Sequence, residues 1–145
     1  MPSAGDKIRA SDIPRVLDYD STTSISATTT GAAIDTGISV TASVITGRRY
    51  RVTAHFTGLR GTTGDSGQVT ITDGSNVVML GSGRIYIDAT GVEVEGRTII
   101  LIDQPSTGTK TYKMRHENVT GGGATGVGAS ATRPTYIMVE DIGLV

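Results

Sequence analysis

A chain of 145 residues with 13 basic and 14 acidic side chains has the length of one domain. Its net charge of −1 gives no excess that would draw it to nucleic acid or to an anionic membrane. Twenty glycines, one Phe, no Trp and no Cys exclude disulfides, thiolate metal sites and a thiol nucleophile.

Abundant Thr, Ser, Val and Ile beside that much glycine mark an all-β chain with many turns. No apolar run reaches the length of a signal-peptide core or a membrane span, so synthesis in a cytoplasm is expected.

Residues 1–20 stand apart from the rest of the chain. Ile8, Ile13, Val16 and Leu17 are spaced irregularly among charges, and no helical or strand period emerges. This stretch reads as an N-terminal arm with a few apolar anchors, lying over the domain or docking on a neighbour. Residues 21–145 read as a second unit, a β-sandwich. A short strand is expected near Ser24–Thr29 and a longer one near Gly37–Val44. Arg49–Thr57 is the clearest inner strand, with Tyr50, Val52, Ala54 and Phe56 inward and Arg49, Arg51, Thr53 and His55 outward. Gly58–Gly67 reads as a long exposed loop. Gln68–Asp73 and Asn76–Leu80 form a hairpin around Asp73-Gly74. Ile85 and Ile87 point inward from a short strand after Gly83.

Val92 and Val94 alternate with Glu93 and Glu95. Thr98–Ile102 then drops the alternation and is apolar on both sides. Thr109–Val119 alternates again, with Tyr112, Met114 and His116 on one face. Thr120–Gly128 is too glycine-rich for a helix or a central strand and reads as a flexible loop. The closing strand, Pro134–Ile142, is apolar on both sides, through Tyr136 and Met138 on one and Ile137 and Val139 on the other. Eight to ten short strands without a helix fit a single-domain antiparallel β-sandwich, most simply a jelly roll. A strand with two apolar faces must be covered twice. The second cover is expected to be another subunit, with Ile99, Leu101, Tyr136, Ile137 and Val139 as interface candidates.

Motifs for chemistry are weak. Gly64-Asp-Ser-Gly67 with His55 upstream looks like fragments of a serine protease, but the chain is too short for that two-barrel arrangement. Gly121–Gly126 has the form of a dinucleotide-binding glycine pattern, yet a strand comes next where a helix is required. His55 and His116 have no partner at metal-ligand spacing, and His116 reads as a hydrogen-bonded core residue or one at a subunit axis. Glu93 and Glu95, about 7 Å apart on one strand face, lack an aromatic sugar platform and read as solvated. No catalytic residue, cofactor site or metal site is expected.

Two end segments resemble a known group. Ala4-Gly-Asp-Lys-Ile-Arg-Ala-Ser-Asp-Ile-Pro14 resembles the opening of small structural proteins of tailed bacteriophages, especially those of actinobacteria. Ala131-Thr-Arg-Pro-Thr-Tyr-Ile-Met-Val-Glu-Asp-Ile-Gly143 resembles their closing strand. The resemblance implies a compact sandwich in the virion, often similar to the trimeric tumour-necrosis-factor and complement jelly rolls, with no catalytic residues.

The function expected on these grounds is that of a non-enzymatic virion protein on the capsid exterior, a decoration or head-fibre protein. Ile8, Ile13, Val16 and Leu17 would attach it to the particle. Its expected partners are two further copies of itself in a homotrimer and other virion proteins, the major capsid or tail protein. Rival readings are a tail-fibre or tail-tip subunit, which would meet a host surface glycan, and a carbohydrate-binding module. In the last case Tyr19, Tyr86 and Tyr136 are the only spare aromatics, and the sequence pairs none of them.

Overall fold

The computed structural model describes residues 13–24, 26–90 and 94–145. Ten strands run in order: β1 (Arg15–Thr22), β2 (Ile34–Val44), β3 (Arg48–Arg60), β4 (Ser66–Asp73), β5 (Val78–Gly81), β6 (Ile85–Tyr86), β7 (Val94–Asp103), β8 (Gly108–Thr120), β9 (Gly126–Val127) and β10 (Thr135–Leu144). They form two sheets. One has the order β1-β10-β3-β7, with β9 continuing the line of β10 along the far end of β3. The other has the order β2-β8-β4-β5, with β6 continuing the line of β5 along β4.

Every ladder is antiparallel. The pairs β1·β10, β2·β8, β3·β7 and β4·β5 trace one long hairpin whose tip is the β4–β5 turn. Rolling that hairpin so that successive strands fall in alternate sheets gives the jelly roll expected from the strand count. The tip forms where Asp73 binds it. Its Oδ1 accepts the N–H groups of Ser75 and Val77, both at 2.9 Å, so the side chain replaces part of the turn's own hydrogen bonding.

Alternation decides which residues reach the core. Ile38, Val40, Ala42 and Val44 enter from β2, Tyr50, Val52, Ala54 and Phe56 from β3, Tyr112 and Met114 from β8, and Ile137 and Val139 from β10. Each such side chain contributes about 1.5–3 kcal/mol by leaving water, an upper bound because the unfolded chain is already partly compact. The two core tyrosines keep their polar ends satisfied at the rim. Tyr50 accepts the Ile45 N–H at 2.8 Å, and Tyr112 donates to Asp103 at 2.7 Å.

The structure departs from the sequence-based expectation in four places. Arg15–Asp20 belong to β1 rather than to a separate arm, and they pair with β10 from Asp141 to Ile137. The pairing carries a bulge at Leu17, and the bulge hides the strand's period. No strand covers the described part of Ser24–Thr29, where Thr29 makes a single bridge to Thr125. The loop expected over Gly58–Gly67 is shorter. β3 runs on to Arg60, Leu59 is fully buried, and Asp65 and Ser66 are buried as well. Beyond Phe56 the inward positions no longer keep the earlier phase, next to an irregular backbone at Glu95 (φ 40°) on the paired strand.

The fourth departure is the glycine stretch after β8. Thr125 to Ala129 are buried, with Thr125 bound to Thr29 through both backbone groups and Val127 in the core. Glycine there serves close packing. Gly121 has φ 105°, and a Cβ on it would lie 1.6 Å from an Asp65 carboxylate oxygen.

Candidate functional site: the outer face of the first sheet

The side of the β1-β10-β3-β7 sheet turned away from the core carries three rows of side chains, fixed by the ladder register. Ser21, Tyr136, His55 and Thr98 form the first row; Tyr19, Met138, Thr53 and Ile100 the second; Val16, Glu140, Arg51 and Ile102 the third. Paired residues of adjacent strands share a face, so four strands in register line up their outward groups as surely as their core groups.

Tyr136 lies between two rings. Its centroid is 5.7 Å from that of Tyr19 on β1 and 5.2 Å from that of His55 on β3, with tilts of 32° and 31°. Rings this close are in contact in a tilted arrangement, and they link the face across three strands. His55 is held from its other side through Nδ1, 3.0 Å from the Thr98 hydroxyl. Beyond these rings an open cleft of about 420 Å³ is bounded by His55, Thr57, Gly96, Pro134 and Tyr136.

In the third row Arg51 clamps Glu140 with two parallel bonds, Nε to Oε2 at 2.8 Å and a terminal nitrogen to Oε1 at 3.0 Å. Glu140 is nearly buried, and its hydrogen bond and charge raise the Arg51 pKa above its ordinary value. The pair cancels its own charge. Around it Tyr19, Ile100, Ile102 and Val16 are about half exposed, an apolar patch bordered on β3 by the exposed Arg49, which donates to the Leu144 carbonyl at 3.0 Å.

The expected interface residues divide between the two faces. Ile99, Ile137 and Val139 point into the chain's own core, and Leu101 packs partly against it. They are not available to a neighbour. Only Tyr136 faces outward. Ile100, Ile102 and Met138, absent from the expected set, are the outward partners. The sequence showed that both faces of β7 and β10 are apolar. Which residues go out depends on the phase set by β3, whose inward Tyr50, Val52 and Ala54 were legible. Of the expected attachment residues, Ile13 and Val16 are exposed, Leu17 is partly buried against the core, and Ile8 lies outside the described residues. The three spare tyrosines are not all unpaired, since Tyr19 stacks on Tyr136.

The fragments that look like a protease do not meet. Ser66 is buried in the second sheet with its hydroxyl on Thr120 at 2.6 Å, while His55 stands on the outer face of the first. Glu95 pairs with Arg97, and Glu93 lies outside the described residues. His116 is buried in the core with Nε2 3.1 Å from the Thr125 carbonyl, and burial lowers its pKa while that hydrogen bond opposes the shift. Among the described residues no group of three or more His, Cys, Asp and Glu side chains gathers, and no helix is long and apolar enough to cross a membrane. Protein-family models and curated proteins, compared with this chain, give no match.

Proposed function

We propose that this chain is a non-enzymatic structural protein of a bacteriophage virion, a jelly roll mounted on the capsid exterior as a decoration or head-fibre protein. The observation that carries the reading is the outer face of the first sheet. Its exposed Tyr19, Ile100, Ile102 and Val16 form an apolar patch, and the ion pair beside them is satisfied within the chain. A surface of this kind serves contact with other protein rather than turnover of a small molecule. The resemblance of Ala4–Pro14 and Ala131–Gly143 to phage structural proteins supplies the setting.

The same face supports assembly into a homotrimer. Three rows about 7 Å apart on four strands about 4.8 Å apart span roughly 400 Å². That is about half of what one partner contributes to a standard interface. Copies meeting through it do not have to bury an unpaired Arg51 or Glu140, because the two neutralise each other. Contacts of this size hold well when repeated on a particle, where attachment of one copy raises the effective concentration of the next.

Cryo-electron microscopy of the parent particle tests the reading. Density for this jelly roll on the outer capsid surface supports it. Copies confined to the tail give the fibre or tail-tip assignment instead, and a particle without the chain overturns the virion reading altogether.

A further inference from the structure

We propose that the end of the sandwich where the 62–65 turn meets the Gly121–Gly123 turn holds a hard divalent cation of the calcium type, ligated by oxygen alone. The proposal does not depend on the virion reading.

Asp65 is 3% exposed, and none of the ion pairs among the described residues involves it. Its Oδ1 takes one long hydrogen bond, from the Gly123 N–H at 3.4 Å. Its Oδ2 has no hydrogen-bond partner among the described residues. A buried carboxylate is tolerated when it is paired, holds a metal or gives up its charge. Among the described residues no cationic side chain pairs with it.

A second buried group is open at the same turn. Asn118 is 8% exposed; its amide N–H donates to the Gly123 carbonyl while its Oδ1 is unpartnered. Asp65 and Asn118 therefore hold one residue, Gly123, by its N–H and its C=O respectively, and each keeps a free oxygen. A third oxygen comes from Thr62. A Cβ on Gly123 would lie 2.2 Å from the Thr62 hydroxyl and 2.3 Å from Asp65 Oδ2, so those two oxygens converge above the glycine. Glycine at 121 and 123 is what lets the Asp65 and Thr62 oxygens approach the turn this closely.

The donor chemistry selects the ion. A carboxylate, an amide oxygen and a hydroxyl are hard ligands; His116, two residues before Asn118, has its Nε2 at the Thr125 carbonyl, and no group of three or more His, Cys, Asp and Glu gathers among the described residues to hold zinc or copper. Calcium accepts irregular sets of six to eight oxygens and completes them with water, whereas magnesium demands a near-ideal octahedron. With a single formal charge in the set, the affinity falls in the weak class, with a dissociation constant of about 0.1–1 mM. Occupancy would tie the 62–65 turn to the 121–123 turn.

The test is thermal unfolding of the full chain after chelation, with calcium or magnesium chloride added back to about 10 mM at matched ionic strength. Calcium is expected to raise the Tm by about 2–6 °C and magnesium by less. Asp65→Asn should lose the calcium response. In the wild-type protein, the Asn118 side-chain amide and the Gly123 backbone amide should shift and saturate together in a calcium titration followed by NMR. Thr62→Val, at an exposed position, should fold and bind calcium more weakly, which keeps the test open if Asp65→Asn does not fold. The proposal is overturned if calcium moves neither the Tm nor those two amides, or if Asp65→Asn responds as the wild type does.

Discussion

Asp18 crosses the open side of the sandwich and accepts the backbone N–H of Thr41 through Oδ2 at 2.7 Å. Two residues on, Asp20 does the same for Ser39 at 2.9 Å. β1 is the edge of one sheet and β2 the edge of the other, so two carboxylates occupy ladder donors that would otherwise invite a foreign strand. Replacing both with Ala removes these two cross-sheet bonds at an exposed site, together with the local ones that the same carboxylates accept from the Tyr19 and Ser21 N–H groups. The expected cost is about 1–2 kcal/mol, read as a lower urea midpoint, together with faster aggregation at equal protein concentration. Asn at both positions should restore part of the loss.

The split of apolar residues between two faces predicts opposite outcomes for similar substitutions. Ile100→Glu places a charge in the middle row of the outer face and should leave the thermal midpoint within a few degrees of the wild type. It should also reduce association, seen as a lower mass by light scattering. Ile137→Glu buries that charge in the core and should prevent folding, because no partner there compensates it. A monomer of 15.0 kDa for the wild-type chain at all concentrations would remove the trimer.

Adjacent glycines should differ sharply. At Gly121 a methyl group meets the Asp65 carboxylate and the backbone is left-handed, so Gly121→Ala is expected to cost about 2–3 kcal/mol. Nothing lies within 4 Å of a Cβ on Gly122, and Ala there should change stability by less than about 0.5 kcal/mol. Equal effects in chemical denaturation would show that the turn relaxes freely.

Burial of His116 makes stability depend on pH in a defined direction. Its folded-state pKa lies below the ordinary value of 6.5, so the unfolded chain binds the proton more readily. The contribution is whole above about pH 6.5 and is lost as the pH falls from there through the folded value. Asp141, lowered by hydrogen bonds from Arg48 and Gly143 against the opposing pull of burial, adds a separate loss only below its ordinary 3.8. Denaturation midpoints across pH 7 to 5 should fall for the wild type. In His116→Gln, less stable at neutral pH, that slope should flatten.

The core of this protein was legible because its strands keep strict period. Val40, Tyr50, Val52, Phe56, Tyr112 and Met114 all lie where alternation puts them. Where the period breaks, the sequence misleads, and for identifiable reasons. The bulge at Leu17 turned an edge strand into an apparent arm, and the lost phase near Leu59 turned the end of β3 into an apparent loop. Thr120–Gly128 looked mobile because glycine content signals freedom, whereas here small size lets Asp65 and the chain from Thr29 approach closely. Ile100 and Ile102 are missing from the expected interface because a run that is apolar on both sides does not announce its own phase, and Met138, although placed beside Tyr136, is missing for the same reason. The neighbouring strand sets it.

The placement of β10 between β1 and β3 has a consequence for the chain while it is being made. β1 leaves the ribosome well before its ladder partner, which follows only after the eight strands between them. At about 5–20 residues per second, the interval between them lasts roughly 5–20 s. Until it ends, one side of β3 lacks most of its neighbour and the first sheet has no middle. Local pairing can begin earlier at the β4–β5 tip and proceed backwards along the hairpin, but the halves of the first sheet join only once β10 has emerged. This domain is therefore expected to complete its fold only when β10 is available, and slowly for its size, as chains dominated by distant contacts do. A stalled nascent chain lacking β10 should remain sensitive to protease along β1 and β3.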